Sequence, residues 1–148
     1  MTSVNDDPRI GTDHIAALLG LALRRIRAEI LAGSEDQFPG LRVSHYRLLE
    51  LIPPDGARIT DLAEVATMTK QGLGQHVDYL QKLGYTTSER LREDRRVRLV
   101  RRTPLGDEAV AFSRAAIARV EQTWSNQLGP TRYESLRQTL RELGADQG

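Results

Sequence analysis

Two short helical segments joined by a three-residue break, a following hairpin crowded with arginine, and long amphipathic stretches at both ends predict a mainly α fold with a small β-wing. The expected architecture is a winged helix-turn-helix of six helices and a two- to three-stranded antiparallel sheet, dimerising through its N- and C-terminal helices. The length of 148 residues suits a single domain, residues 1–148. Within it, residues 12–33 and 104–144 are expected as dimerisation helices and 41–102 as the winged region.

Residues 1–11 are polar and carry Pro8 and Gly11, as in a loose arm. Thr12 and Asp13 suit a helix start, as cap and first-turn acid. Ile15, Leu18, Leu19, Ala22, Leu23, Ile26 and Ile30 follow at spacings of three and four, giving an amphipathic helix that ends near Gly33. Residues 33–40 read as a loop. A second helix is expected from Val43 to Ile52, stopped by Pro53-Pro54-Asp55-Gly56. Arg58-Ile59-Thr60 is long enough only for a bridging strand, and Thr60 can cap a short helix from Asp61 to Ala66. Thr67-Met68-Thr69 breaks the chain before a longer helix, Lys70 to Leu83, which stops at Gly84. Tyr85–Leu91 and Val97–Arg101 read as strands, with Arg92-Glu93-Asp94-Arg95 as the turn.

Thr103-Pro104 opens a long helix, with Thr as cap and Pro in the first helical position. Val110, Ile117, Val120, Trp124 and Leu128 form its apolar stripe, and Gly129-Pro130 ends it. Thr131 and Glu134 have capping-box spacing for a last helix lined by Tyr133, Leu136, Leu140 and Leu143. The terminal helices carry more apolar surface than a winged helix of this size can cover. A second copy of the chain is the expected cover; packing of the helices on each other within one chain is the alternative.

Composition narrows the function. Cysteine is absent, which excludes a disulfide scaffold, thiolate metal sites, a Cys nucleophile and thiol redox sensing. The longest apolar run, Ile15 to Leu23, is too short to span a bilayer, and Asp6 and Asp7 stand where a secretory signal would be basic. A cytoplasmic location without membrane contact is expected. The net charge of +1 is unevenly spread: residues 1–68 carry −3, residues 69–102 carry +5 and residues 103–148 carry −1. Nineteen of the 21 basic side chains are arginine. A basic patch on a near-neutral chain suits a polyanion engaged by one surface. A solvated, charged hairpin is the plainer alternative.

On the helix from Lys70, Leu73, Val77 and Leu80 share one face, while Lys70, Gln71, Gly74, Gln75 and Asp78 share another. Gly72 and Gly74 each cost roughly 1 kcal/mol relative to Ala inside a helix, which suits a backbone that something approaches closely. In a major groove, Gln71 or Gln75 could bond adenine, and Lys70 a phosphate or guanine. The hairpin holds Arg90, Arg92, Arg95, Arg96, Arg98, Arg101 and Arg102 within 13 residues. Strand alternation sends them to different faces, so Arg95 and Arg96 at the tip are freest to project, one into a narrowed minor groove while neighbours such as Arg92 meet phosphates. Asp94 is expected to pair with Arg96 or cap the turn, aiming the guanidinium. Residues 41–102 are thereby expected to be the DNA-binding region.

The segment from Asp94 through Arg95-Arg96-Val97-Arg98-Leu99-Val100-Arg101-Arg102 to Thr103-Pro104-Leu105-Gly106 resembles the wing and exit of MarR-type regulators: Asp-x-Arg, a strand, then Thr and Gly. Ile59-Thr60-Asp61-Leu62-Ala63 and Val77–Tyr85 look like the helix-turn-helix of that family, and the order of elements fits over about residues 12–144. The resemblance implies a sequence-specific transcriptional regulator, most often a repressor. It would bind a pseudo-palindromic operator as an obligate homodimer and need no cofactor. Carried over by position, the recognition contacts fall on Thr69, Lys70, Gln71, Gly74 and Gln75, and the wing arginine is Arg96. Gly74 departs from the family, where a side-chain donor is common. The family also implies a small aromatic or phenolic effector in a cleft between dimer helices and winged helix, whose binding releases DNA. His14, Leu18, His45, Tyr46, Arg47 and Trp124 are the candidates to line it, although Tyr46 and Trp124 sit at core spacing, which favours packing, and a histidine near a helix start suits a surface or satisfied polar role better than a sensor.

Enzymatic readings fit poorly. Gly72-Leu73-Gly74 lacks the preceding strand and third glycine of a dinucleotide site, and Gly33-Ser34 lies outside any nucleophile elbow. His14, His45 and His76 are spaced 31 residues apart, with no local metal-ligand pattern. The alternative from another class is a winged helix that binds an acidic protein partner without reading DNA.

Overall fold

Apolar spacing of three and four becomes helix in six places, as expected, and the break in that period at Gly84 becomes a hairpin. The computed structural model describes residues 13–145. In order these are α1 (Ile15–Leu31), α2 (Ser34–Gln37), α3 (Val43–Leu51), β1 (Ala57–Arg58), α4 (Ile59–Val65), α5 (Lys70–Lys82), β2 (Thr86–Arg90), β3 (Arg98–Arg102), α6 (Pro104–Leu128) and α7 (Pro130–Ala145). The described residues divide into two compact units, one spanning Ile30–Arg114 and the other formed by the remainder of α1, the rest of α6 and α7.

The unit Ile30–Arg114 holds the winged helix-turn-helix. Leu49, Ile52, Leu73, Val77, Leu80 and Val100 are its innermost aliphatic residues, and the expected inward face of α5 is the buried one. Its sheet has the order β1-β3-β2, antiparallel throughout. Arg90 pairs with Arg98 next to the turn of the hairpin and Thr86 with Arg102 at its base. β2 is one residue shorter at each end than the expected Tyr85–Leu91, since Tyr85 turns into the core and Thr86 begins the ladder, and β3 lies one residue later than the expected Val97–Arg101.

The exit from the wing explains the Thr-x-x-Gly spacing. Thr103 Oγ1 donates to the Gly84 carbonyl at 2.6 Å and accepts from the Gly106 N–H at 3.1 Å, capping α6 while tying it to the end of α5. The Thr103 N–H donates to the Tyr85 carbonyl at 3.1 Å. Any Cβ on Gly106 would collide with that same carbonyl oxygen, so the close approach requires glycine.

Four local expectations are corrected. The segment 33–40 is not all loop: Ser34–Gln37 forms one helical turn, α2. Four residues are too few to be helical by propensity. The turn is held by burial of Ser34 and Phe38 and by a 2.5 Å hydrogen bond between the hydroxyls of Ser34 and Tyr46. The bridging strand is Ala57–Arg58, and α4 starts at Ile59, so Thr60 lies in the first turn and is not the cap. Burial of Ile59 directly after the strand brings the helix start forward. Asp13 lies before α1 instead of in its first turn; the imidazole Nδ1 of His14 accepts from the Ala17 N–H at 3.2 Å and serves as the cap. The Thr12 cap lies outside the described residues. Thr131 and Glu134 form no capping box, since α7 starts at Pro130 after Gly129 at φ +90°, and Glu134 reaches Arg141 at 3.2 Å.

In the other unit, Glu29 of α1 accepts from Arg119 of α6 at 2.9 Å and pairs with Arg25 at 3.4 Å. The Arg119 guanidinium holds the Glu29 carboxyl below its ordinary range against a smaller desolvation effect. Tyr133 of α7 donates to Glu121 of α6 at 2.6 Å, and desolvation, then that carboxylate, push the phenol up to about 12. Yet α7 buries no residue at all. Leu136, Leu140 and Leu143 are exposed, as are Ile15, Leu18, Leu19, Leu21 and Leu23 on α1.

Candidate DNA interface

Helix α5 and the wing form the two walls of an open groove of about 740 Å³. Lys70, Gln71 and Gly74 line it from α5, and Arg90, Asp94, Arg96 and Arg98 from the hairpin. A Cβ added to Gly74 would meet no atom within 4 Å, so the backbone of the helix is bare on this side. Gln75 is exposed one position further along the helix. Thr69 is the cap of α5: its Oγ1 accepts from the Gly72 N–H at 3.0 Å. Thr67 just before it adopts φ +55°, a left-handed conformation that a β-branched residue rarely takes, and this closes the three-residue break.

The wing tip is organised by one carboxylate. Asp94 Oδ1 accepts from both the backbone N–H and the Nε of Arg96, each at 3.0 Å, and Oδ2 accepts from its Nη2 at 3.1 Å. The Val97 N–H closes the turn onto the Asp94 carbonyl at 3.0 Å. This fork-to-fork pairing fixes the plane of the guanidinium, while the Arg96 side chain remains 90% exposed against 38% for Asp94. The guanidinium, more than the backbone bond, holds the Asp94 carboxyl below its usual range, and the carboxylate raises Arg96 in return. The pairing expected from the sequence is therefore present, with an arginine pre-oriented in solvent.

The seven hairpin arginines sort by partner. Arg102 is held by Asp107 at 2.8 Å and the Leu49 carbonyl at 2.9 Å, and Arg101 by the Asp55 carbonyl at 2.7 Å. Arg98 reaches Asp78 on α5 at 2.6 Å, and Arg90 donates to the Arg96 carbonyl at 3.4 Å. Among the described residues, Arg92 and Arg95 make no side-chain hydrogen bond or ion pair and stand exposed. Three of the seven, Arg98, Arg101 and Arg102, are thus committed to holding the fold, so the patch open to a ligand is smaller than the net charge of the segment.

One contributor to the groove carries no signal in the sequence pattern. Arg58, with Ile59 and Thr60, lines it from β1 and the start of α4, and Arg58 Nε pairs with Asp61 at 3.1 Å. It lies in the acidic part of the chain, so a charge census by segment could not point to it.

The proposed effector residues are divided. His45 and Arg47 line a second cavity of about 200 Å³ with Ser44, Leu48, Met68 and His76. His45 is 6% exposed. Its Nδ1 accepts from the Arg42 N–H at 2.8 Å, its ring stacks on Tyr79 at 5.1 Å, and His76 stands edge-on at 6.0 Å. Desolvation, then the neighbouring His76 and Arg42, push the His45 imidazole down. Tyr46 does not line that cavity; it is buried among Phe38, Phe112 and Ser34. His14, Leu18 and Trp124 belong to the other compact unit. No cluster of three metal-ligating side chains occurs among the described residues, and none of the described helices is long and apolar enough to cross a membrane.

No protein-family model matches the chain, and no curated protein matches it. Solved structures do. The transcriptional repressor CouR bound to a 23-mer DNA duplex superposes with a TM-score of 0.73 at 21% identity, over 89% of this chain and 93% of that one. MarR gives 0.76 at 20% identity, over 92% of both chains. CouR from Rhodococcus jostii RHA1 bound to p-coumaroyl-CoA gives 0.67 at 19% identity, over 97% and 95%. The chain therefore has the winged-helix fold of MarR and its structural relatives, mostly helical with a small antiparallel sheet.

Proposed function

We propose that this chain is a MarR-type transcriptional regulator that binds double-stranded DNA as a homodimer at a pseudo-palindromic operator, most simply as a repressor. The observation that carries the reading is the groove in which a bare-backed helix faces an arginine clamped in solvent by Asp94. Helix α5 would enter the major groove, with Lys70, Gln71 and Gln75 presented to base edges and Thr69 near the backbone. Arg96 would enter the flanking minor groove, with Arg92 and Arg95 against phosphates. The exposed leucines of α1 and α7 would be covered by the second copy, which also supplies the second recognition helix.

A small aromatic ligand that releases DNA is the natural effector class, by analogy with the p-coumaroyl-CoA complex of CouR. Selection of genomic fragments on the purified chain, followed by titration at several salt concentrations, tests the whole reading. A dimer that enriches one inverted-repeat motif, with affinity falling steeply as salt rises, is expected. A monomer without sequence preference at low ionic strength would overturn it.

A further inference from the structure

Reading two grooves at once requires that the wing and the recognition helix keep a fixed distance and angle. At the base of the hairpin this is provided by Thr86, whose Oγ1 donates to the Val77 carbonyl at 3.3 Å. Further out a second tie is made by side chains alone. Arg98 of β3 donates through Nη2 to Asp78 at 2.6 Å and to Gln81 at 3.4 Å, and through Nε to Ser88 of β2 at 3.1 Å. Ser88 in turn donates to Gln81 at 2.7 Å. The Arg98 side chain is only 19% exposed although it lines the groove, so its charge is directed into the protein.

We infer that Asp78 and Arg98 are positioning residues for DNA recognition, locking the wing to α5 so that Arg96 and the α5 side chains address adjacent grooves together. The inference rests on the DNA-binding reading and adds the part that sets its geometry. Asp78 makes the case sharply, because an exposed acid on the α5 face that meets a polyanion is otherwise a liability. Pure electrostatics requires that neutralising it tighten binding to any duplex. A positioning role requires the opposite for the operator alone.

The test compares Asp78→Asn and Arg98→Lys with the full-length wild-type chain. Asp78→Asn should weaken operator binding about tenfold while affinity for a scrambled duplex stays equal or rises. In an Arg96→Ala background, where the wing no longer reads its groove, the tenfold loss should shrink to less than about twofold. Arg98→Lys keeps the charge but not the planar fork, and should show the same operator-selective loss. Amide hydrogen exchange over residues 86–102 in DNA-free protein should accelerate in both variants, with little change over α3. Operator binding by Asp78→Asn that is unchanged or tighter overturns the inference, as does a loss of equal size in the Arg96→Ala background. If the wild type shows no operator preference, the DNA reading fails, and wing exchange alone decides whether the tie holds the hairpin; unchanged exchange then overturns that as well.

Discussion

The arginine at the wing tip gives the sharpest test of how the interface works. Arg96→Ala removes one exposed guanidinium per protomer and leaves Asp94 without its fork partner. A guanidinium held in the minor groove between the two phosphate chains displaces counterions as a phosphate contact does, about 0.9 in the slope of log K against log salt, so the two wings of the proposed dimer should account for up to about 1.8. Charge-assisted hydrogen bonds contribute about 1.5–3 kcal/mol each, so losing one per wing predicts a loss of about 3–6 kcal/mol, on the order of a hundredfold or more. Asp94→Asn separates aim from charge. It keeps Arg96 but weakens the clamp, so up to about 2 kcal/mol of side-chain entropy must be lost on binding instead of beforehand. Against this, removing a carboxylate about 6 Å from a phosphate would contribute only about 0.7 kcal/mol at the dielectric of water, and less with screening. Aim therefore outweighs charge, and Asp94→Asn should weaken operator binding modestly without lowering the salt slope. Fluorescence anisotropy with a labelled operator between about 50 and 200 mM salt measures both quantities. An Arg96→Ala protein with wild-type affinity and slope would refute the wing assignment, and a tighter-binding Asp94→Asn would refute the clamp.

Other expectations follow from packing and titration. Gly106→Ala should destabilise the fold by about 2–4 kcal/mol, from overpacking and a displaced Tyr85 carbonyl; urea denaturation should show a lower midpoint, and a change below about 0.5 kcal/mol would refute the close approach. Leu140→Glu, placed on the face of α7 that is bare in one chain, should convert the proposed dimer to monomer in sedimentation and abolish operator binding, and a dimer that persists would exclude that face as its interface. The His45 imidazole is held below its ordinary value of 6.5. Its neutral form is the one the fold prefers, so its contribution to stability is complete above that value and declines as pH falls from 6.5 toward the lowered folded value. His45→Gln should flatten the pH dependence of unfolding in that window, and a wild-type stability that stays level there would contradict the burial argument.

Much of this architecture was legible because it is local. Apolar residues three and four apart identify the buried face of α5 without reference to any partner, whereas of the stripe expected on α6 only Val110 and Val120 are buried. Asp94 and Arg96 are two residues apart, and Thr103 and Gly106 three apart, so their bonds form within one turn of chain. The α2 turn and the start of α4 were not legible, since both depend on burial of Phe38, Ser34 and Ile59 against distant residues. The division of the arginines was equally hidden. Asp78 and Arg98 are twenty residues apart and Leu49 and Arg102 fifty-three, and whether a guanidinium meets water or a carboxylate at such separations follows from how helices and hairpin dock.

Sequence by itself determined the order of the longer helices and of the hairpin, the inward face of α5 and the pairing of Asp94 with Arg96, because short-range sterics and periodicity act before the chain is compact. Only the tertiary structure decided which arginines stay available to a ligand, that Arg58 joins the groove from an acidic segment, and that His45 borders a cavity with His76. Those outcomes depend on a desolvated contact between segments far apart in the chain, and its geometry exists only once the helices have packed.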